Sequence, residues 1–322
     1  MKAPLVSVCI PTHNSARYLG AAIESVLQQT FGDYELVVCD NASSDETPEL
    51  CRRYRDPRLA YHRFEVLVGQ GANWNRCLSL AGGEYVALLH ADDVYRPGFL
   101  EARVRALEAD RAVGLAFGAV DLIDDEGRVT GQQVFRTGSF VAPPPGFCRD
   151  LLLACVINPA TPVVRRGCYE TAGRFDEDRL WGIDWDMWLR LAARHAVSYS
   201  PSIAAAYRVH GGSGSATGML GTRRVEEERE VLDRTFEWIA ADPALASLVP
   251  LRGQADRALA RRALFAAGHN CEAGHLTAAR GNLALALALD PTLRTRPTVW
   301  ALQVACRLGA GTYRLFRRLH PL

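Results

Sequence analysis

The chain has 322 residues, 48% hydrophobic and 23% charged, which is enough for a sizeable core and too long for one minimal domain; one large domain with an appendage is expected. Its 37 basic and 36 acidic residues leave a formal net charge of +1, which removes the electrostatic argument for a nucleic-acid or bulk polyanion partner. No uncharged apolar run reaches about 18 residues, and no basic region precedes Leu5, so neither a transmembrane helix nor a signal peptide is expected and the reading is a soluble, cytoplasmic protein. The nine cysteines are odd in number and scattered, with none at metal-ligand spacing; those in apolar runs, such as Cys9, Cys39 and Cys155, read as reduced core thiols.

In chain order, the apolar, β-branched run Leu5 to Ile10 predicts a strand, broken at Pro11 and followed by a helix to about Gln29 with Asn14 or Ser15 as cap. The pattern returns at Tyr34 to Cys39, then a polar loop and a helix opening Thr47-Pro48-Glu49. A helix from about Gly71 to Ala81 precedes a third strand, Glu84 to Leu89. Two strands around the turn Asp124 to Gly127 account for Val113 to Phe135. A helix is predicted over Asp184 to Arg194, and a strand over Ala204 to His210. Repeated strand–loop–helix units imply an α/β, Rossmann-like, mostly parallel sheet with helices on both faces over residues 1–216. After Gly221 the composition shifts to Ala, Leu, Arg and Glu at helical spacing, a helical extension over 217–322 with breaks expected at Pro243, Pro250, Pro291 and Pro297. No acidic residue follows Asp290, and Trp300 to Leu319 can form a basic amphipathic helix, either packed on the protein or touching the inner face of a membrane.

In such sheets ligands bind beyond the carboxyl ends of the strands, and three polar loops leave those ends. Pro11-Thr12-His13-Asn14 and Asp40 to Asp45 set side chains and amides side by side for a nucleoside; the alternative makes Asp40 and Asp45 turn formers. His90-Ala91-Asp92-Asp93 brings carboxylates and an imidazole together, a donor set for Mn²⁺ or Mg²⁺, or else a cap on the next helix. Asp184, opening a helix, is either a general base or a cap, and Trp181 and Trp185 are either a platform for an acceptor sugar or core. Arg208 and His210 alternate on one strand face ahead of a Gly/Ser loop, suited to phosphate and metal.

Taken together, residues 4–216 resemble the inverting glycosyltransferase family 2 with its GT-A fold. Val6 to Asn14 is similar to its first strand and loop, and Asp40 to Asp45 to its acidic loop beside the base. Asn73-Trp74-Asn75-Arg76 with Gly83 to Val86 looks like the stretch before its metal motif, His90-Ala91-Asp92 occupies the DxD position, and Ile183-Asp184 its Glu-Asp pair. The resemblance implies transfer of a sugar from a UDP-, dTDP- or GDP-sugar to an acceptor hydroxyl with inversion, the acceptor being a glycan or a lipid-linked glycan. Pro11, Thr12, His13, Asn14, Asp40, Asn75, Ala91, Asp92 and Arg208 would bind the nucleotide sugar; Asp92, His210 and His90 the divalent cation; Asp184 would be the base. Two residues depart from the pattern: His90 replaces the leading aspartate, and Ile183 the acidic residue before the base. An oxidoreductase would need G-x-G-x-x-G after the first strand, which is absent. The rival reading is a non-catalytic nucleotide- or glycan-binding module on the same fold.

Overall fold

The computed structural model describes residues 3–212, 218 and 220–309. They divide into two compact units: residues 1–151 with 155–209, and residues 152–154 with 210–322.

The first unit is built on a ten-stranded sheet. Its strands are β1 (Val6–Thr12), β2 (Tyr34–Asn41), β3 (Leu59–Phe64), β4 (Tyr85–Leu88), β5 (Val94–Tyr95), β6 (Val113–Ile123), β7 (Val129–Gln133), β8 (Phe140–Ala142), β9 (Val163–Arg165) and β10 (Ala196–Arg208). The order is β3-β2-β1-β4-β9-β6-β10-β5, with β7 beside β6 and β8 beside β10. Strands β1 to β4 are mutually parallel, and β6 is parallel to β10. The antiparallel β9 between β4 and β6 keeps those two pointing the same way, so the longer strands share one direction. Short β5, β7, β8 and β9 run against them.

Helices α1 (Ala16–Leu27), α2 (Thr47–Arg53), α3 (Gln70–Leu80), α4 (Phe99–Ala109), α5 (Cys148–Leu153), α6 (Arg166–Ala172) and α7 (Ile183–Arg194) complete this part of the chain. Alternation along β1 explains the layering. Val6, Val8 and Ile10 join Leu19, Ile23 and Val26 of α1 and Leu100 and Leu107 of α4 in one core cluster. Cys9 points the other way, its thiol directed at the Cys77 carbonyl of α3 at 3.6 Å. Cys9 and Cys39 are buried as expected, whereas Cys155 is exposed. Its neighbours in sequence are apolar, but it lies in the loop after α5.

The second unit is helical: Arg223–Ala241, Arg252–Glu272, Leu276–Leu289 and Pro297–Leu308, with 3₁₀ turns at Pro243–Leu251 and Pro291–Thr295. Pro243, Pro291 and Pro297 each open an element, where a missing N–H costs nothing, and Asp242 and Asp290 cap the two turns by accepting from Ala244 N and Thr292 N. The last described helix ends at Leu308; residues 310–322, which include the remainder of the basic helix expected over Trp300 to Leu319, lie outside the described residues, as do Ser213 to Ser215 of the Gly/Ser loop. No helix among the described residues is long and apolar enough to cross a membrane.

Candidate active site

The register β1–β2–β4 and β6–β10 brings the carboxyl ends of these strands to one edge. Two loops there are laced into one surface. Asn14, at φ 48°, donates its backbone N–H to Ser43 Oγ (2.9 Å) and accepts from Ser44 N (2.8 Å) through Oδ1. Asp45 accepts from Ala16 N and Thr47 N, each at 3.0 Å, and His13 Nδ1 lies 2.7 Å from Asn41 O. His13 and Asn14 remain exposed while Thr12 is buried, its Oγ1 without a hydrogen-bond partner.

Beyond β4, His90, Asp92 and Asp93 place one ligand atom each within 4.8 Å of one another. Asp93 has no exposed surface. Its Oδ1 accepts from Arg208 N at 2.8 Å, and its Oδ2 is buried without a partner. Burial first, and the neighbouring Asp92 carboxylate second, push the Asp93 pKa well above the usual carboxylate range. A buried oxygen left over from a crowded pair of carboxylates is what a divalent cation satisfies, so the donor set fits Mn²⁺ or Mg²⁺. The capping alternative fails here, because the next helix, α4, is capped by Gly98 in the left-handed conformation. The residue pattern His90-Ala91-Asp92-Asp93 suggests both carboxylates as donors, whereas the family resemblance carries only Asp92 and His90 of this cluster; the structure adds Asp93 to them. Sequence reading missed Trp74, whose ring stacks on His90 at 5.3 Å and 29°.

Asp184 is the second residue of α7, and the N-cap is Gly182 (φ 70°), so Asp184 is not the cap. Its Oδ2 lies 3.9 Å from the Cys155 thiol. Trp181 is half-buried.

Several residues assigned to ligand contact have other work. Trp185 is 2% exposed and donates Nε1–H to Leu151 O at 2.8 Å; it is core, not an acceptor platform, because it lies on the buried side of α7 with Trp188, Leu189 and Ala192. Asp40 is wholly buried, with Oδ1 accepting from Ser43 N (2.9 Å) and Oδ2 from the Tyr61 hydroxyl (2.5 Å), so it shapes the loop rather than facing a base. Asn75 is buried and bound to Phe175 O (2.9 Å), Phe175 N (2.9 Å) and Glu177 Oε1 (2.8 Å), tying α3 to the loop before α7. The same approach leaves no room at Gly71, where a Cβ would come within 2.2 Å of Asp176 O. The Ala91 methyl belongs to the hydrophobic core, leaving only its backbone for a ligand. Arg208 is 5% exposed and donates to Asp92 O (2.8 Å), Asp124 O (2.6 Å) and Asp125 O (3.1 Å), with its guanidinium 4.8 Å over the Tyr18 ring. Its Nε and Nη1 serve carbonyls, so these donors position the acidic loop. His210 falls in the second unit.

The sequence profile of the family described as Glycosyl transferase family 2 matches residues 7–157. An uncharacterized protein of Mycobacterium tuberculosis is 31% identical over 252 residues, covering 74% of this chain and 77% of that protein. The UDP-Glc:alpha-D-GlcNAc-diphosphoundecaprenol beta-1,3-glucosyltransferase WfgD of Escherichia coli is 31% identical over 162 residues, 50% of this chain and 60% of that enzyme. Among solved structures, residues 1–349 of S. aureus TarS with UDP-GlcNAc superpose with a TM-score of 0.61 at 18% identity, covering 98% of this chain and 92% of that one. The mannosyltransferase PcManGT of Pyrobaculum calidifontis, with GDP-Man and Mn²⁺, gives 0.56 at 23% identity over 96% and 87%. At those identities the two structures speak to the fold, the GT-A arrangement.

Proposed function

The chain belongs to glycosyl transferase family 2, and from that premise we propose that it moves a sugar from a UDP-, dTDP- or GDP-sugar to an acceptor hydroxyl with inversion, in glycan or polysaccharide synthesis. The observation that carries this reading is the cluster His90–Asp92–Asp93, with its orphaned Asp93 oxygen, at the strand edge beside the laced loops of β1 and β2. The exposed His13 and Asn14 side chains line the place for the nucleoside, and the amides of residues 43–45 brace that surface by donating to Asp40 Oδ1 and Asn14 Oδ1. His90, Asp92 and Asp93 would hold Mn²⁺ or Mg²⁺, which when bound neutralises charge on the departing diphosphate. Arg208 holds the acidic loop in place through the Asp92 carbonyl. Asp184 takes the proton of the acceptor hydroxyl as the anomeric carbon is attacked from the opposite side.

Thermal unfolding of the protein with UDP, dTDP, GDP or CDP, each with Mn²⁺, Mg²⁺ or EDTA, tests the donor site. One nucleotide is expected to raise the melting temperature, and only with metal; at about 100 times Kd the linkage contributes about 2.7 kcal/mol. No shift with any nucleotide would remove the donor reading, and an equal shift in EDTA would remove the cation.

A lipid-linked acceptor, as named for the Escherichia coli relative, would place the enzyme at the cytoplasmic face of a membrane. In support, the helix Pro297–Leu308 exposes Trp300 (57%) and Val304 (46%) one turn apart, with exposed Arg294, Arg296 and Arg307 around them. The protein is expected to sediment with vesicles containing phosphatidylglycerol, much less with pure phosphatidylcholine, and Trp300→Glu to abolish the difference. Equal recovery of wild type and variant would rule this surface out.

A further inference from the structure

We infer that His90, held by its stack on Trp74, gives the cation site of this chain a mixed nitrogen and carboxylate donor set, and with it a preference for Mn²⁺ over Mg²⁺. The inference rests on the cation reading above and deepens it.

Three observations meet at this ring. The His90 imidazole lies 5.3 Å from the Trp74 ring at 29°, and Trp74 is itself 5% exposed and braced edge-on by Phe175 at 5.0 Å and 82°. The brace is fixed in turn, because Asn75 bonds both the N–H and the carbonyl of Phe175. An imidazole pinned between buried aromatic surface and the acidic loop loses little freedom when it ligates, so its nitrogen is offered in advance.

The second observation is spacing. His90 Nδ1 stands 3.9 Å from Asp93 Oδ2, too far for a hydrogen bond. Donors bound to one first-row ion at about 2.1 Å each lie roughly 3–4 Å apart, so the gap is that of two ligands sharing an ion. The third is the orphan: Asp93 Oδ2 is buried and no donor comes within hydrogen-bond distance of it.

The chemistry follows from the donor types. Mg²⁺ is hard, takes oxygen ligands and gives up its waters reluctantly. An imidazole in place of a carboxylate removes one charged oxygen, a loss that weighs on Mg²⁺, whereas Mn²⁺ and the later first-row ions accept nitrogen. The substitution at the head of the acidic motif thus changes which ion is held, and Trp74 is the positioning residue that makes the imidazole available.

The test is direct binding. Free Mn²⁺ is followed by electron paramagnetic resonance in the presence of the protein and the nucleoside diphosphate that stabilises it, and Mg²⁺ is titrated in as competitor. For wild type, Mg²⁺ should displace Mn²⁺ only in large excess, and in His90→Asp the excess needed should fall about 10-fold or more. Trp74→Leu should weaken Mn²⁺ by about 10-fold, and Trp74→Phe, which keeps a ring under the imidazole, should restore most of that loss. An unchanged Mn²⁺/Mg²⁺ ratio in His90→Asp, with Mn²⁺ still bound, would overturn this inference alone. Absence of Mn²⁺ binding to wild type would overturn it together with the cation reading.

Discussion

Asp184→Asn is expected to lower sugar transfer by about 10²–10⁴, the usual contribution of a positioned general base. The amide is nearly isosteric, keeps an oxygen near the Cys155 thiol, and leaves the Gly182 cap of α7 untouched, so the fold should persist. It cannot take a proton at neutral pH. The variant should therefore melt close to wild type and show the same metal-dependent stabilisation by nucleotide, while kcat collapses. Measuring turnover and the nucleotide-induced shift on one preparation separates a lost base from a damaged site. A variant that retains turnover within a few-fold of wild type would move the base elsewhere in the chain.

Asp93→Asn should pull stability and metal binding in opposite directions. The native environment raises the Asp93 pKa, by burial first and by Asp92 second, so the folded protein holds that proton more tightly than the unfolded chain does. From about pH 4, where an unfolded carboxyl ionises, up through the raised native pKa, ionising Asp93 costs the metal-free protein stability. At neutral pH that cost is present. Asparagine removes it and still accepts from Arg208 N through Oδ1, so the variant without metal should gain on the order of 1–3 kcal/mol. That is roughly 2–4 °C in melting temperature for each kcal/mol. The same change takes away the buried anionic oxygen, and the Mn²⁺-dependent part of nucleotide stabilisation should vanish. Melting curves in EDTA and in Mn²⁺ give both numbers. A variant that melts lower in EDTA and still responds to Mn²⁺ would show that Asp93 is a structural acid.

The parts legible in the sequence were those written in local pattern. The β-branched runs ending at Pro11, Asp40 and His90 marked the parallel strands β1, β2 and β4, and Asp124 to Gly127 marked the turn between β6 and β7. Strands β5, β8 and β9 have two or three residues, too few to show a period, and exist because neighbouring strands supply their hydrogen bonds. At the site, sequence identified the loops but not which way side chains face. Asp40 and Asn75 look like ligand groups until Ser43, Tyr61 and the Phe175 backbone consume their hydrogen bonds. Trp185 and Trp181 are alike in sequence, and only the inward face of α7 separates the core ring from the half-buried one. Trp74 gave no sign of its role, since its contact with His90 is made across the fold.

Metal-dependent glycosyl transfer is read by the release of nucleoside diphosphate from a panel of UDP-, dTDP- and GDP-sugars, with Mn²⁺ and with EDTA. Release is expected from one donor class, lost in EDTA and lost in Asp184→Asn. Nucleotide binding without release from any donor, with glycan and lipid-linked acceptors supplied, would contradict it and leave a binding module on a transferase fold.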